Sequence, residues 1–353
     1  MNKRRTGSIF NFNTQKAIVL SSLLALNSCS PTPKHNKSPK APTTKPSLPI
    51  LQSKPSVTTE AISLFDINEV VVTPGDTAIF IDVSGVDSLP PKAGQHIIPD
   101  LTGKKAQETR YFKLGSKYRK RLLTGTGITE ADSLFVYDYA RDILLSFPVS
   151  KLTAVASLSF YEDASADQHA ENDYMLGFKV DRAALANLNN DYFTTTYAYI
   201  GVKNPFTRGQ MRPVIWEESG SQKIPLAPMS AEDAKMLKEF KPDGTYTFKS
   251  DGYRFYLRKY SKSESPPFEW LLICNGDNTV LDNEVFYETE SSSPAPLSFA
   301  GEGKNSLEQW TGHLFKNRPP VILDFDDHDF GCPVLPYIDG TKGYVEIACD
   351  NRH

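Results

Sequence analysis

From about residue 60 onward, apolar side chains recur at every second position, and that period restricts the chain to sheet. Leu152, Ala154, Ala156, Leu158 and Phe160 fall on one side, opposite Thr153, Ser157 and Ser159. Tyr174, Leu176, Phe178 and Val180 repeat the pattern opposite Lys179. Side chains leave a strand to alternate faces, so this parity predicts one buried and one wet face, as in antiparallel sheet. Further strands are predicted over 77–83 (TAIFIDV, after a turn at Pro74-Gly75), 133–139, 191–202, 269–274, 285–287, 321–325 and 344–349. Tyr246 and Phe248, then Tyr253, Phe255 and Leu257, flank Asp251-Gly252, a hairpin turn signal. One segment departs from period two. Residues 231–240 read as a helix with Ser230 as N-cap, Asp233 as capping-box acid, and Met236, Leu237 and Phe240 as its apolar side. The Ser-, Pro- and Gly-rich run 288–305 reads as an exposed loop. The expected fold class is mainly β, with antiparallel sheets in a sandwich or barrel-like arrangement, a propeller left open, and one or two short helices. Some 300 residues of this kind suggest two β-rich domains, 56–225 and 226–353.

The amino terminus is of another character. Lys3, Arg4, Arg5 and Lys16 precede the apolar run 17–26, with no acid among them. A basic segment, a short apolar segment and then small residues form an export signal, and the apolar part is shorter than the ~20 residues of a membrane-spanning helix. Leu26-Asn27-Ser28-Cys29 resembles the lipobox of bacterial lipoproteins, with Asn27 where a smaller residue is usual. The resemblance implies that 1–28 is a signal peptide and that Cys29 carries a diacylglycerol and an amide-linked acyl group. Ser30, in place of an Asp, implies the outer membrane, facing the periplasm. An ordinary secretory leader and a short membrane anchor are the alternatives. Residues 29–55, rich in Pro, Lys, Thr and Ser, form an extended tether.

Charge is divided between these parts. Residues 1–54 hold nine Lys or Arg and no acid, which leaves 30 basic against 42 acidic residues in the body. An acidic body does not suit nucleic acid, which would need a basic face. It suits a cationic protein partner, or plain solubility. Beyond Cys29, the cysteines are Cys274, Cys332 and Cys349. Cys332 and Cys349 are close enough in sequence to pair in an oxidising compartment. Cys274 ends the apolar run 270–274 and reads as a buried thiol.

The motifs of common catalysis are absent. No GxSxG, no phosphate-binding loop, no HExxH and no CxxC occurs. The one concentrated group is Asp324, Asp326, Asp327, His328 and Asp329. If the strand from Val321 continues, Asp324, Asp326 and His328 share the face opposite Leu323 and Phe325. Such a group could bind a divalent ion or act in acid–base chemistry. It could equally be a solvated turn, or an acidic docking element for a basic partner. His96, His169 and His313 are scattered and read as ordinary residues. No catalytic residue, cofactor or resident metal is implied, and the chain reads as a non-enzyme.

Residues 111–148 (YFKLGSKYRKRLLTGTGITEADSLFVYDYARDILLSFP), together with the leader, resemble the periplasmic immunity lipoproteins encoded beside type VI secretion phospholipase effectors. That resemblance implies a membrane-tethered inhibitor that binds and neutralises a secreted phospholipase. The alternatives are a cell-envelope enzyme using Asp324 to Asp329, and a structural or carbohydrate-binding envelope lipoprotein.

Overall fold

The alternation across residues 241–287 folds into long antiparallel hairpins. Strands Lys241–Ser250 and Tyr253–Lys262 meet through Asp251 and Gly252, whose φ of 50° and 83° are the left-handed pair that a tight two-residue hairpin requires. Ser265–Cys274 and Val280–Tyr287 continue the sheet, and Glu217–Glu218 adds a short edge. This computed structural model describes residues 61–351 apart from 74, 85–88, 90–95, 167–168, 189–192, 221–223, 226, 228–229, 263–264, 290–291, 302–307 and 329–330. The leader, the tether, Cys29, Pro74 and Asp329 therefore lie outside the described residues, as does the His328 side chain.

Two further large sheets pack as layers. The six-stranded sheet runs Val334–Pro336, Tyr344–Ala348, Ser63–Phe65, Thr196–Gly201, Ser133–Asp138, Ile143–Pro148. A second five-stranded sheet runs Ile67–Thr73, Asp76–Asp82, Tyr174–Val180, Thr153–Leu158, Tyr111–Lys113. Between them lies the largest core, built from residues such as Ile79, Ile81, Leu134, Val136, Phe178 and Ala198. The opposite face of the six-stranded sheet (Leu64, Tyr137, Tyr139, Val345, Ile347) packs on a three-stranded sheet of Met211–Pro213, Trp310–Gly312 and Val321–Leu323. The architecture is therefore mainly β and antiparallel, with layers packed as in a sandwich. Among the named strands of the described residues the exception is Ser63–Phe65, which pairs in parallel with Tyr344–Ala348.

Several expectations are corrected. The wet face expected along the central strands of the second five-stranded sheet survives only at one end, where Thr153 and Lys179 are exposed; Val155, Ser157 and Met175 are buried as well as their alternate neighbours. The reason is a small second cluster of Val70, Ala78, Phe80, Val155 and Met175 that covers the far side. Phe160, expected at the end of that buried face, lies beyond the strand and is 57% exposed. The boundary near residue 225 does not divide the fold. Glu217–Glu218 pairs across it with Thr247 and Tyr246, Tyr344–Ala348 returns to Ser63–Phe65, and Thr59–His353 forms one compact unit. The run 288–305 is not wholly an exposed loop. Ser292–Pro294 pairs with Asp326–His328, and Ala295 and Ser298 are buried.

The helix Ala231–Glu239 begins at Ser230, whose hydroxyl accepts from the Asp233 N–H at 2.9 Å. Leu237 and Phe240 pack on the hairpin sheet against a cluster holding Tyr260, Phe268 and Cys274. Cys274 is a free, buried thiol. A second helix, Ser116–Thr126, places Leu122 and Leu123 in the largest core and ends at Gly127 with φ 72°. A third, Ala106–Thr109, is a single turn. Among the described residues no helix is long and apolar enough to cross a membrane.

Candidate functional site: an acidic cleft

The sheets leave between them a cleft of about 710 Å³. Its floor is set by two aspartates placed at strand breaks. Leu323 ends the strand Val321–Leu323 in one core cluster and Phe325 enters another, so both neighbours of Asp324 are pinned. Asp324 turns the chain with φ 58°, a conformation that Asp tolerates better than most residues. The strand therefore does not continue through the acidic group, and the parity expected for Asp324, Asp326 and His328 fails. Asp326–His328 belongs instead to a separate pair of strands.

Asp324 lines the cleft, open to its solvent yet enclosed by protein on its other sides. Its Oδ2 accepts the Tyr139 hydroxyl at 2.9 Å. Burial, with the negative charges of Asp327 and Glu308, pushes its carboxyl up to about 6 despite that bond. Tyr139 stacks on Tyr197 at 5.6 Å and meets Trp310 edge-on at 5.4 Å. Asp66 lies between Phe65 and Ile67, at the crossing from the six-stranded sheet to its neighbour. Burial raises its carboxyl also, against opposing hydrogen bonds from the Ile67 N–H and the Asn68 side chain. The Tyr197 hydroxyl is held well above its usual range by burial and by the charges of both Asp324 and Asp66. Among the described residues neither aspartate has a Lys, Arg or His at ion-pair distance.

The single ammonium of the described lining is already engaged. Lys342 Nζ reaches Asp282 Oδ1 at 2.6 Å, the Asn283 carbonyl oxygen at 3.1 Å, and Glu284. Burial opposes its charge, but Asp282 and Glu284 outweigh that and raise its pKa. With Asp326 and Asp350, six carboxylates thus face one ammonium across the lining. The mouth has a different chemistry. Of the six large hydrophobic side chains exposed among the described residues, Phe160, Tyr161, Val334 and Tyr344 line this cleft, at 57, 50, 44 and 54% exposure. One wall is fastened by the Cys332–Cys349 disulfide, which spans 5.5 Å between Cα atoms. The Ser159 hydroxyl ties the mouth loop to Asp350 at 2.5 Å.

The residues of the acidic run are dispersed: Asp324 reaches the floor, Asp326 lines the cleft, and Asp327 is exposed. Asp66, Tyr139, Tyr197 and the four rim residues were not singled out by the sequence. A carboxylate flanked by Phe65 and Ile67 at a strand junction is the one signal that could have marked Asp66. The lining supplies carboxylates, amides, aromatic rings and one ammonium, and among its described residues no imidazole or free thiol. Such a surface is suited to receiving a cation between aromatic walls. Comparison with family models, with curated proteins and with solved structures finds no match to the chain.

Proposed function

We propose that the chain is a binding lipoprotein of the cell envelope, anchored through Cys29 in the outer membrane and facing the periplasm. Its cleft receives a basic segment of a secreted phospholipase and thereby blocks that enzyme. The observation that carries this reading is the pairing of an exposed apolar rim with two aspartates, Asp66 and Asp324, that have no cation at ion-pair distance among the described residues. Exposed aromatic residues gathered around a cavity are what a protein-binding hot spot needs. Carboxylates partly enclosed by protein without a positive partner cost stability. A guanidinium from a partner offsets that cost with charge-assisted hydrogen bonds, and the acidic body steers such a partner inward. The leader and the likeness of 111–148 to immunity lipoproteins supply the compartment and the choice of enzyme.

The test mixes the full chain, purified in detergent, with a secreted phospholipase, one whose gene adjoins its own being the first choice, and follows hydrolysis of a fluorogenic phospholipid. Stoichiometric inhibition is expected, with Tyr161→Ala and Asp324→Asn each weakening it by about tenfold or more. A phospholipase that neither binds nor slows at micromolar chain would overturn the proposal. A second reading is favoured by one observation, the Asp324 carboxyl raised to about 6 in an open cleft, as a general acid requires. Hydrolysis of envelope glycan that is abolished by Asp324→Asn would support that enzyme instead.

A further inference from the structure

The loop joining strands Thr153–Leu158 and Tyr174–Val180 carries Phe160 and Tyr161 to the cleft mouth. Next to them it brings together Glu162, His169 and Asp173, whose donor atoms all lie within 4.8 Å of one another. Each is half-buried. The His169 ring is held edge-on against Tyr174 at 6.2 Å, and Asp173 Oδ2 is fixed by the Ala170 N–H at 2.6 Å. A separate fact points to a ligand: His169 Nε2 is shielded from solvent and meets no hydrogen-bond partner among the described residues. A shielded polar atom of this kind calls for a water or an ion.

From these residues we infer a divalent metal site, made by one imidazole nitrogen and two carboxylates. The set suits a borderline first-row ion, Zn²⁺ above all, better than Mg²⁺ or Ca²⁺, which prefer oxygen alone. Tetrahedral zinc holds its donors about 3.4 Å apart, so donors within 4.8 Å close onto it through side-chain rotation. The ion would join the two arms of the loop, Glu162 from one and His169 with Asp173 from the other. It would thereby order the segment that presents Phe160 and Tyr161. The metal site stands without the proposed function; only its effect on partner binding rests on that reading.

The full chain, untagged, in detergent and stripped with EDTA, is titrated with Zn²⁺ alone by calorimetry, with Mg²⁺ and Ca²⁺ as comparators. One Zn²⁺ per chain at micromolar or tighter affinity is expected, with Mg²⁺ and Ca²⁺ at least about a hundredfold weaker. Amide exchange across 159–173 should slow about tenfold or more when zinc is bound. His169→Ala should lower affinity by about a hundredfold, and Glu162→Gln and Asp173→Asn by about tenfold or more. His96→Ala, which alters the neighbouring His96–Glu171 pair, should leave zinc binding intact. If His169→Ala does not fold, the two isosteric variants decide. No zinc binding, or binding unchanged in Glu162→Gln and Asp173→Asn, would overturn the site. Zinc binding without slower exchange in 159–173 would overturn the tie between the arms.

Discussion

Replacing Asp324 by Asn should stabilise the protein at neutral pH and do nothing at acid pH. The amide oxygen can still accept the Tyr139 hydroxyl that Asp324 Oδ2 accepts at 2.9 Å. Asn also tolerates the left-handed φ of 58° at this position. What changes is the charge. The folded carboxyl titrates at about 6, against about 3.9 in an unfolded chain. Between those values the folded state keeps a proton that the unfolded state has lost. Stability therefore falls as pH rises through the window from about 4 to about 6, and levels off above it. A gap of roughly 2 units amounts to at most about 3 kcal/mol. Contact with cleft solvent screens the charge and reduces this to about 1 kcal/mol. Urea unfolding of both proteins at about pH 4 and about pH 7.5 measures the difference as a change in midpoint at constant slope. Coincident curves are expected in acid. At neutral pH the variant should gain about 1 kcal/mol, or about 2–4 °C in Tm. A difference of equal size at both pH values, or a variant less stable at neutral pH, would refute the reasoning. A gain would mean that the carboxylate is kept for binding at a cost in stability.

Reducing the Cys332–Cys349 bond, which closes 17 residues of sequence, should cost about 3 kcal/mol on the chain-entropy model; denaturation with and without reductant reads it. Because Cys349 and Asp350 line the cleft, the same reduction should weaken partner binding in a pull-down. Trp216→Phe removes the donor to Gln309 Oε1, a buried bond of 2.6 Å, and should cost about 1–3 kcal/mol in thermal unfolding. Gly177→Ala sets a methyl group against the Ile81 carbonyl oxygen of the adjacent strand. It should destabilise by about 3 kcal/mol or more, seen as loss of soluble, cooperatively melting protein.

What could be read from the sequence was the part governed by neighbours in sequence. Asp251-Gly252 forces a hairpin through its own backbone, and Ser230 caps a helix through an atom three residues away, so both are visible locally. The helix Ser116–Thr126 was not. It contains Gly125 and two threonines and buries only Leu122 and Leu123, too few to mark a helical period. The wet face expected at Ser157 is dry because Val70 and Phe80, far away in sequence, belong to the cluster on that side. The acidic run singled out Asp324, but the bend there depends on Leu323 and Phe325 choosing different cores. Asp66 and Tyr197 join it only through the sheet order, which strand parity leaves open. The rim is of the same kind: Phe160 continued an alternating pattern, and only the end of the strand at Leu158 turned it outward.

The most direct test is the ionisation of Asp324 with and without its partner. Carboxyl carbon NMR on aspartate-labelled chain, assigned by the peak missing in Asp324→Asn, gives its titration midpoint in the free protein and in a complex with the kind of phospholipase proposed as its partner. A guanidinium or ammonium entering the cleft should bring that midpoint from about 6 down to the ordinary value of about 3.9 or lower. A midpoint that stays near 6 in a saturated complex would mean that no cation reaches the floor, and would contradict the cleft as the binding site.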